Sequence, residues 1–163
     1  MDRKIVDQYE SGGDKLKAAI AGLSKQEMLW TPPPEAGIGN WSIQQIVLHL
    51  LDADLIWAAR MKCIIAEENP LILGYDQSKF AASLLPAEQD ADNAVRIFDL
   101  NRRQFTRVLR KLPDSAFSRT GRHNEIGVIT LGQCVQRQVE HVDHHLSFIR
   151  KKRDKLGKPP LKD

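Results

Sequence analysis

The stretch TLGQCVQRQVEHVDHHLSFIRK, residues 130–151, decides the fold class and holds three of the five histidines of the chain. At about 100° per residue, its apolar positions fall within an arc of roughly 80°, which predicts an amphipathic helix with one side facing a core. The helix is expected to begin at the capping box Thr130-x-x-Gln133 and to extend to about Lys155. The apolar positions are Leu131, Val135, Val139, Val142, Leu146 and Ile149.

Three other segments have helical patterns, and none has the period of a β-strand. Ser42-x-x-Gln45 is a capping box at the start of the second helix, and Gly12-Gly13 is predicted to be a weak point in the first. Residues 31–40, which are rich in proline, and the long loop 69–85 are expected to be connections. Four helices of roughly twenty residues each predict an all-α fold, an up-and-down four-helix bundle. The three segments run from about Asp2 to Leu23, from Ser42 to about Glu67, and from Pro86 to about Leu112.

The bulk composition is that of an ordinary globular protein. The chain has 163 residues and a mass of 18.5 kDa, with 42% hydrophobic and 28% charged residues. This size predicts one domain over residues 1–163 that ends in a basic tail at about 151–163. No run approaches about 18 apolar residues, and the start, MDRKIVDQYE, has no signal-peptide pattern. We therefore expect a soluble, cytoplasmic protein with no membrane partner.

The charge and the cysteines point to no further partner. Much of the excess behind the net charge of +3 lies in the tail, whose cations are expected to stay solvated at the end of a helix. Aromatic residues make up 6% of the chain and do not interleave with lysine or arginine, which argues against nucleic-acid binding. Cys63 and Cys134 are far apart in sequence, and both are predicted to be small buried apolar residues.

Helical geometry separates the three histidines of the last helix. His145 lies about 75° and His141 about 115° from the centre of the apolar arc, both on one flank. His144 lies about 175° away and is predicted to face solvent. With a spacing of four residues, His141 and His145 can converge on one metal ion. Cys134 lies about 10 Å below His141 along the axis, too far to bind the same ion.

The second helix offers a third ligand. His49 lies about 110° from the centre of that helix's apolar arc, again on a flank. Three neutral imidazoles from two helices would leave coordination positions open, a pattern typical of catalytic sites. Asp52 is a candidate to orient a ligand, or else a solvated charge. Asp54 lies on the apolar arc, where it must face a pocket or bond to a neighbouring helix, because an unpaired buried carboxylate is costly. His123 is predicted to lie on the surface.

Three segments together resemble the DinB/YfiT-like superfamily. WSIQQIVLHLLDAD, residues 41–54, is similar to that family's second-helix motif, and TLGQCVQRQVEHVDHHLSFI resembles its closing helix. The loop GYDQSKFA, residues 74–81, is similar to an element that YfiT-like members carry between the second and third helices. The resemblance implies a four-helix bundle, a divalent metal on His49, His141 and His145, zinc or nickel as that metal, and a homodimer.

The resemblance leaves the reaction open. The leading hypothesis is a metal-dependent transferase that uses a low-molecular-weight thiol on a small electrophile, because a metal held by neutral imidazoles can stabilise a thiolate. The first alternative is a metal-dependent hydrolase that uses metal-activated water, and the second is a non-catalytic binding module. Tyr75, Asp76 and Gln138 are the candidates for contacts to the small-molecule substrate.

Overall fold

The computed structural model describes residues 3–158 and confirms the predicted four-helix bundle. Its four long helices are connected by shorter elements, among them two short 3₁₀ helices at Pro34–Ala36 and Asp114–Ser118. No helix within residues 3–158 is long and apolar enough to cross a membrane. In chain order the helices and strands are α1 (Lys4–Ile20), α2 (Lys25–Leu29), α3 (Ile43–Ala66), β1 (Leu71–Ile72), α4 (Gln77–Ser83), α5 (Ala91–Lys111), β2 (Thr120–His123), β3 (Gly127–Thr130) and α6 (Leu131–Lys155).

The helices begin where side-chain oxygens can accept the first backbone N–H groups. Both predicted capping boxes are present, with Ser42 at the start of α3 and Thr130 at the start of α6. Asp90 caps α5 through the N–H of Asn93. The short helix α2 was not predicted, although Ser24 and Glu27 form a third capping box there. The capping box was therefore present in the sequence, but the helix that follows it has only five residues, too few to show a helical pattern.

The order of the helices around the bundle differs from the up-and-down order predicted from the sequence. Helix α1 packs against α5 and α6, and α3 packs against the same two helices, so α1 lies diagonally opposite α3. Cross-helix contacts fix the directions. Arg110 pairs with Asp7, and Arg103 with Asp14, so α1 and α5 are antiparallel. Helices α3 and α5 run parallel, as do α1 and α6, which makes the order up, down, down, up along the chain.

The connection between α3 and α5, residues 67–90, accounts for this order. Helix α3 has 24 residues and is about 36 Å long, so a chain that leaves its end must travel back that distance to begin a parallel helix. The connection returns along α3, where Arg60 donates to the carbonyl of Leu73 and Gln45 to that of Ala81. At the end of the connection, the side chain of Gln44 donates a hydrogen bond to the carbonyl of Gln89.

A three-stranded sheet at one end of the bundle corrects the expectation that the chain has no strands. Strand β1 pairs in parallel with β2, and β2 forms an antiparallel hairpin with β3. Each strand has only two to four residues, too few for an alternating pattern to be read in the sequence. The hairpin leads directly into α6 and so sets where that helix begins.

The apolar core consists of two clusters, one toward each end of the bundle. The first contains Phe98, Leu146 and the residues around Leu50, and the second contains Phe105, Val135 and the residues around Met61. Between them, at mid-height, the buried side chains are polar. The ion pair of Asp54 and Arg102 lies here.

Two predictions are wrong because basic side chains are buried. One is the weak point in the first helix, and the other is the solvation of all cations at the end of the last helix. Helix α1 continues without a break through Gly12-Gly13. A Cβ atom at Gly12 would collide with the guanidinium of the buried Arg102, so close packing explains the glycine there. The cations near the end of α6 are not all solvated. Lys152 is 0% and Arg153 5% exposed, and they donate to carbonyls of the 31–40 connection and of the end of α1, respectively. Residues 159–163 of the predicted tail lie outside the described residues.

Candidate metal centre

The three predicted histidines come together between α3 and α6. His49 lies on α3, and His141 and His145 lie one turn apart on α6. The Nε2 atoms of His49 and His141 are 3.0 Å apart, and one ring nitrogen from each histidine lies within 4.8 Å of the other two. Nitrogen ligands at 2.0–2.1 Å from a tetrahedral zinc are about 3.3 Å from one another. The spacing therefore allows all three rings to bind one ion after small adjustments.

Burial keeps the three rings neutral near pH 7. His49 is 4% exposed, and His141 and His145 are half-buried. Removal from water, together with the repulsion of a neighbouring histidine, lowers the pKa of His49 to about 4 and that of His141 to about 4. The same causes lower the pKa of His145 to about 3. Neutral imidazoles have the free lone pair that a metal ion requires.

The set of donor groups also fits a metal ion. Nδ1 of His145 is buried and has no hydrogen-bond partner among the described residues, an expensive arrangement for a polar atom. No cysteine or carboxylate belongs to the cluster within residues 3–158. A divalent cation bound to three neutral rings would keep its full charge, and three protein ligands would leave a position open for a small molecule.

Trp41 is a neighbour of the histidines that the sequence interpretation missed. Its ring lies parallel to that of His145, with centroids 6.3 Å apart and planes 6° apart, and 5.0 Å from the ring of His49. It precedes the Ser42 cap directly, so the start of α3 fixes its position. In the sequence, its signals were its place beside the capping box and its position at the start of the segment WSIQQIVLHLLDAD.

The other two histidines have different surroundings. His144 is exposed, as predicted, and its ring rests edge-on against Phe148. His123 is 5% exposed, so its predicted place on the surface was wrong. It ends strand β2, stacks on Trp57, and accepts a hydrogen bond at Nδ1 from the N–H of Glu125. The unrecognised hairpin explains the error, because it folds this side chain inward.

Asp54 bonds to a neighbouring helix, one of the two expected outcomes. Its carboxylate accepts from Arg102 at 2.7 Å and from Asn101 at 2.7 Å, both on α5, and Tyr9 lies at 3.4 Å. Arg102 also donates to the carbonyls of Tyr9 and Gln138. This network lies next to the histidines, and the charge of Arg102 helps to lower the pKa of His141.

Asp52 is half-buried, which raises the pKa of its carboxyl group. Within residues 3–158, no hydrogen bond joins it to a histidine of the cluster. Burial of the Tyr75 hydroxyl raises its pKa to about 12, and the charge of Asp52 contributes to this shift. Asp52 therefore lies on the side of α3 that faces the returning connection.

The three candidates for substrate contacts differ in their surroundings. Gln138 is 3% exposed, and its Oε1 has no partner among the described residues. Tyr75 is half-buried, packs on Phe80, and lies below the guanidinium of Arg60. Asp76 caps helix α4 through the N–H of Lys79, which gives it a structural role.

The cysteines lie away from the histidine cluster. Cys134 is buried in the second apolar cluster, and burial raises the pKa of its thiol to about 12, as expected of an inert core residue. Cys63 is half-buried, so its predicted place in the core is only partly correct.

Comparisons with known sequences identify a family and several relatives of this chain. The sequence matches the family model of the DinB superfamily over residues 8–149. It is 28% identical over 155 residues to a Bacillus subtilis protein named "Putative metal-dependent hydrolase YfiT", covering 94% of this chain and 85% of that protein. A protein of Oceanobacillus iheyensis with the same descriptive name is 30% identical over 111 residues, 68% of this chain and 64% of that protein.

Solved structures show the same fold. The structure of YfiT from Bacillus subtilis, described as a four-helix bundle of unusual topology, superposes with a TM-score of 0.87. It is 24% identical and covers 96% of this chain and 87% of its own. A DinB-like protein from the same organism superposes with a TM-score of 0.67 at 17% identity, covering 98% of this chain and 96% of its own.

Proposed function

Because the chain belongs to the DinB superfamily, we propose that it is a metal-dependent hydrolase whose metal ion is held by His49, His141 and His145. The observation that carries the proposal is the convergence of three neutral ring nitrogens from two helices, with one buried nitrogen left without a partner. Imidazole ligands suit zinc and nickel, and we propose one of these two metals. The names of the relatives favour hydrolysis over the thiol transfer that the sequence interpretation placed first.

A divalent ion at this position would supply a Lewis acid that can polarise a carbonyl group or activate water. The residues of the chain prepare the place for it. Burial between α3 and α6 holds the three rings in the neutral form, so no proton has to leave before they bind. Trp41 lies against His145 and His49 and restricts the orientation of both rings.

Metal content tests the proposed site. After dialysis against zinc or nickel and then against metal-free buffer, elemental analysis should find one ion per chain in the unaltered protein. His49→Ala, His141→Ala and His145→Ala should each reduce this content at least tenfold, because each removes one of three ligands. His144→Ala is the matched control, since it removes an exposed ring next to the site, and it should retain the metal. Undiminished metal in the first three variants would refute the site.

The reaction is tested with the metal-loaded protein on a panel of ester and amide substrates. Turnover is measured with and without bacillithiol, mycothiol or glutathione. Hydrolysis that needs no thiol and disappears in His49→Ala supports the proposal. Turnover that requires a thiol would replace it with the transferase, and a metal-loaded protein without activity on the panel would favour a binding module.

A further inference from the structure

A cleft of about 260 Å³ adjoins the histidine cluster on the side of Trp41. One wall is α6, which contributes His145, Phe148 and Lys152, and the other is the end of the connection before α3. The cleft thus contains a proposed metal ligand in its wall and extends away from the metal site along α6. Its remaining lining residues are Ile38, Gly39, Asn40, Trp41 and Ile46.

The sides of the cleft are mainly apolar and aromatic. Trp41 and Phe148 are both half-buried, and each ring centroid lies 6.3 Å from that of His145. Gly39 has a φ of 76°, which a glycine adopts easily, and a Cβ atom at this position would contact the ring of Phe148. These flat faces are suited to an aromatic ring or a short hydrocarbon chain.

Lys152 is the unusual feature of this cleft. Its side chain is 0% exposed, yet no carboxylate within residues 3–158 pairs with it. The ammonium donates to the carbonyls of Ile38 and Gly39, which uses two of its three donors. Burial without a counter-charge lowers its pKa to about 8, so most molecules still carry the charge at pH 7. A buried cation without an anion is costly, and such groups are typical of binding sites.

We propose that this cleft binds the substrate of the histidine site, and that the substrate is a small carboxylate attached to an aromatic or hydrocarbon group. The carboxylate is drawn to the inner wall by Lys152, and the apolar part lies between Trp41 and Phe148. The assignment of this ligand as a substrate rests on the proposed function. The assignment of its chemistry rests on the cleft alone.

The dimensions limit the size of the ligand. Lys152 follows His145 by seven residues, so the two side chains leave α6 about 10 Å apart along its axis. A volume of about 260 Å³ is below the range of about 300–1,000 Å³ that is usual for drug-sized ligands. Phenylacetate has this chemistry and a suitable size, and phenylacetamide is its neutral counterpart with nearly the same shape. This pair serves as the probe.

Binding of both probes is measured by calorimetry, on metal-free and on zinc-loaded protein. The unaltered protein should bind phenylacetate at least tenfold more tightly than phenylacetamide. In Lys152→Met the two affinities should agree within twofold, whereas Lys152→Arg should keep a preference for the carboxylate. Lys155→Met is the matched control, because it removes an exposed lysine of the same helix, and it should leave the preference unchanged. Phe148→Ala should weaken both probes to the same extent.

A second measurement does not depend on whether the lysine variants fold. Phenylacetate added to the unaltered protein should shift the backbone amide resonances of residues 38–41 and 148–152 more than those elsewhere. Equal affinity for the two probes, resonance shifts confined to other regions, or a carboxylate preference that survives Lys152→Met would each overturn the proposal. Since these readings are taken without metal as well as with it, loss of the metal site alone would not change them.

Discussion

Two buried polar groups of the bundle differ in how completely the protein itself supplies their hydrogen-bond and charge partners. The first is the ion pair of Asp54 and Arg102, and the second is the cluster around His49, which lies five residues earlier on α3. Both interrupt an otherwise apolar core. The ion pair satisfies its hydrogen bonds and charges within the protein, whereas the histidine cluster leaves one buried ring nitrogen without a hydrogen-bond partner among the described residues.

The ion pair is complete within the protein. Both side chains are 1% exposed, and Arg102 donates to Asp54, to the carbonyl of Tyr9 and to that of Gln138. Asn101 donates to the second carboxylate oxygen. This network joins α1, α3, α5 and α6, so it fixes how the four helices fit together. Nothing in it calls for a ligand.

The histidine cluster lacks such completion. Its rings approach one another closely although each would repel the others if protonated, and Nδ1 of His145 has no partner among the described residues. The pair of groups shows how burial is to be interpreted. A buried polar group whose hydrogen bonds are all made within the protein supports the fold, and one with a bond left unmade indicates a binding site for an ion or a ligand.

Breaking the ion pair should have the largest effect on stability. Arg102→Met leaves Asp54 buried without its cation, and we expect the free energy of unfolding to fall by about 3–5 kcal/mol. Urea denaturation followed by circular dichroism measures the loss. Arg103→Met is the matched control, because Arg103 forms its ion pairs with Asp99 and Asp14 at the surface, and it should cost less than about 1 kcal/mol. Equal losses in the two variants would contradict the comparison.

The histidine cluster should make the metal-free protein sensitive to acid. The pKa of His145 is about 3 in the folded protein and near 6.5 in an unfolded chain. Below pH 6.5 the unfolded chain takes up a proton that the folded ring refuses, so stability falls as the pH falls. From pH 7 to pH 5 we expect about 2 kcal/mol from this ring.

Unfolding in urea with a chelator present, at pH 7 and at pH 5, tests this expectation. His145→Ala should lose less stability between the two pH values than the unaltered protein does, by about 2 kcal/mol. His144→Ala removes an exposed ring and should behave like the unaltered protein. If all three proteins lost the same stability between pH 7 and pH 5, the lowered pKa of His145 would not be the cause of the acid sensitivity.

A smaller effect should follow from crowding the ion pair. Alanine normally stabilises a helix relative to glycine by about 1 kcal/mol. Gly12→Ala should instead destabilise the protein by about 1–2 kcal/mol, because the added methyl group meets the guanidinium of Arg102. Ser11→Ala, one position earlier in the same helix, should stay within about 0.5 kcal/mol. Thermal unfolding of both variants distinguishes the two cases, and a stabilised Gly12→Ala would refute the close packing.

The sequence was sufficient to predict what depends on regular helical geometry. Angular position separated His144 from His141 and His145, and it also placed His49 on a flank, because an α-helix has a constant rotation per residue. The capping boxes at Ser42 and Thr130 identified where two helices start for a similar reason, since a cap is a local pattern.

What the sequence did not indicate depends on contacts between distant segments. The partner of Asp54 could not be read from α3, because Arg102 is 48 residues away. His123 was misplaced because its burial depends on a hairpin too short to have a pattern. Lys152 looked like one more cation in a basic run, and only the fold shows that a proline-rich connection covers it.

The diagonal placement of α1 and α3 has a consequence for how the protein is made. It puts α3 beside α6, so the proposed ligands His49 and His141 are separated by 92 residues of chain. Contacts that close so long a loop form late and slowly, because the entropy of closure must be overcome before they contribute. During synthesis, the three-histidine site cannot exist until the last helix has left the ribosome. Metal capture at this site would therefore report that α3 and the last helix, α6, have come together.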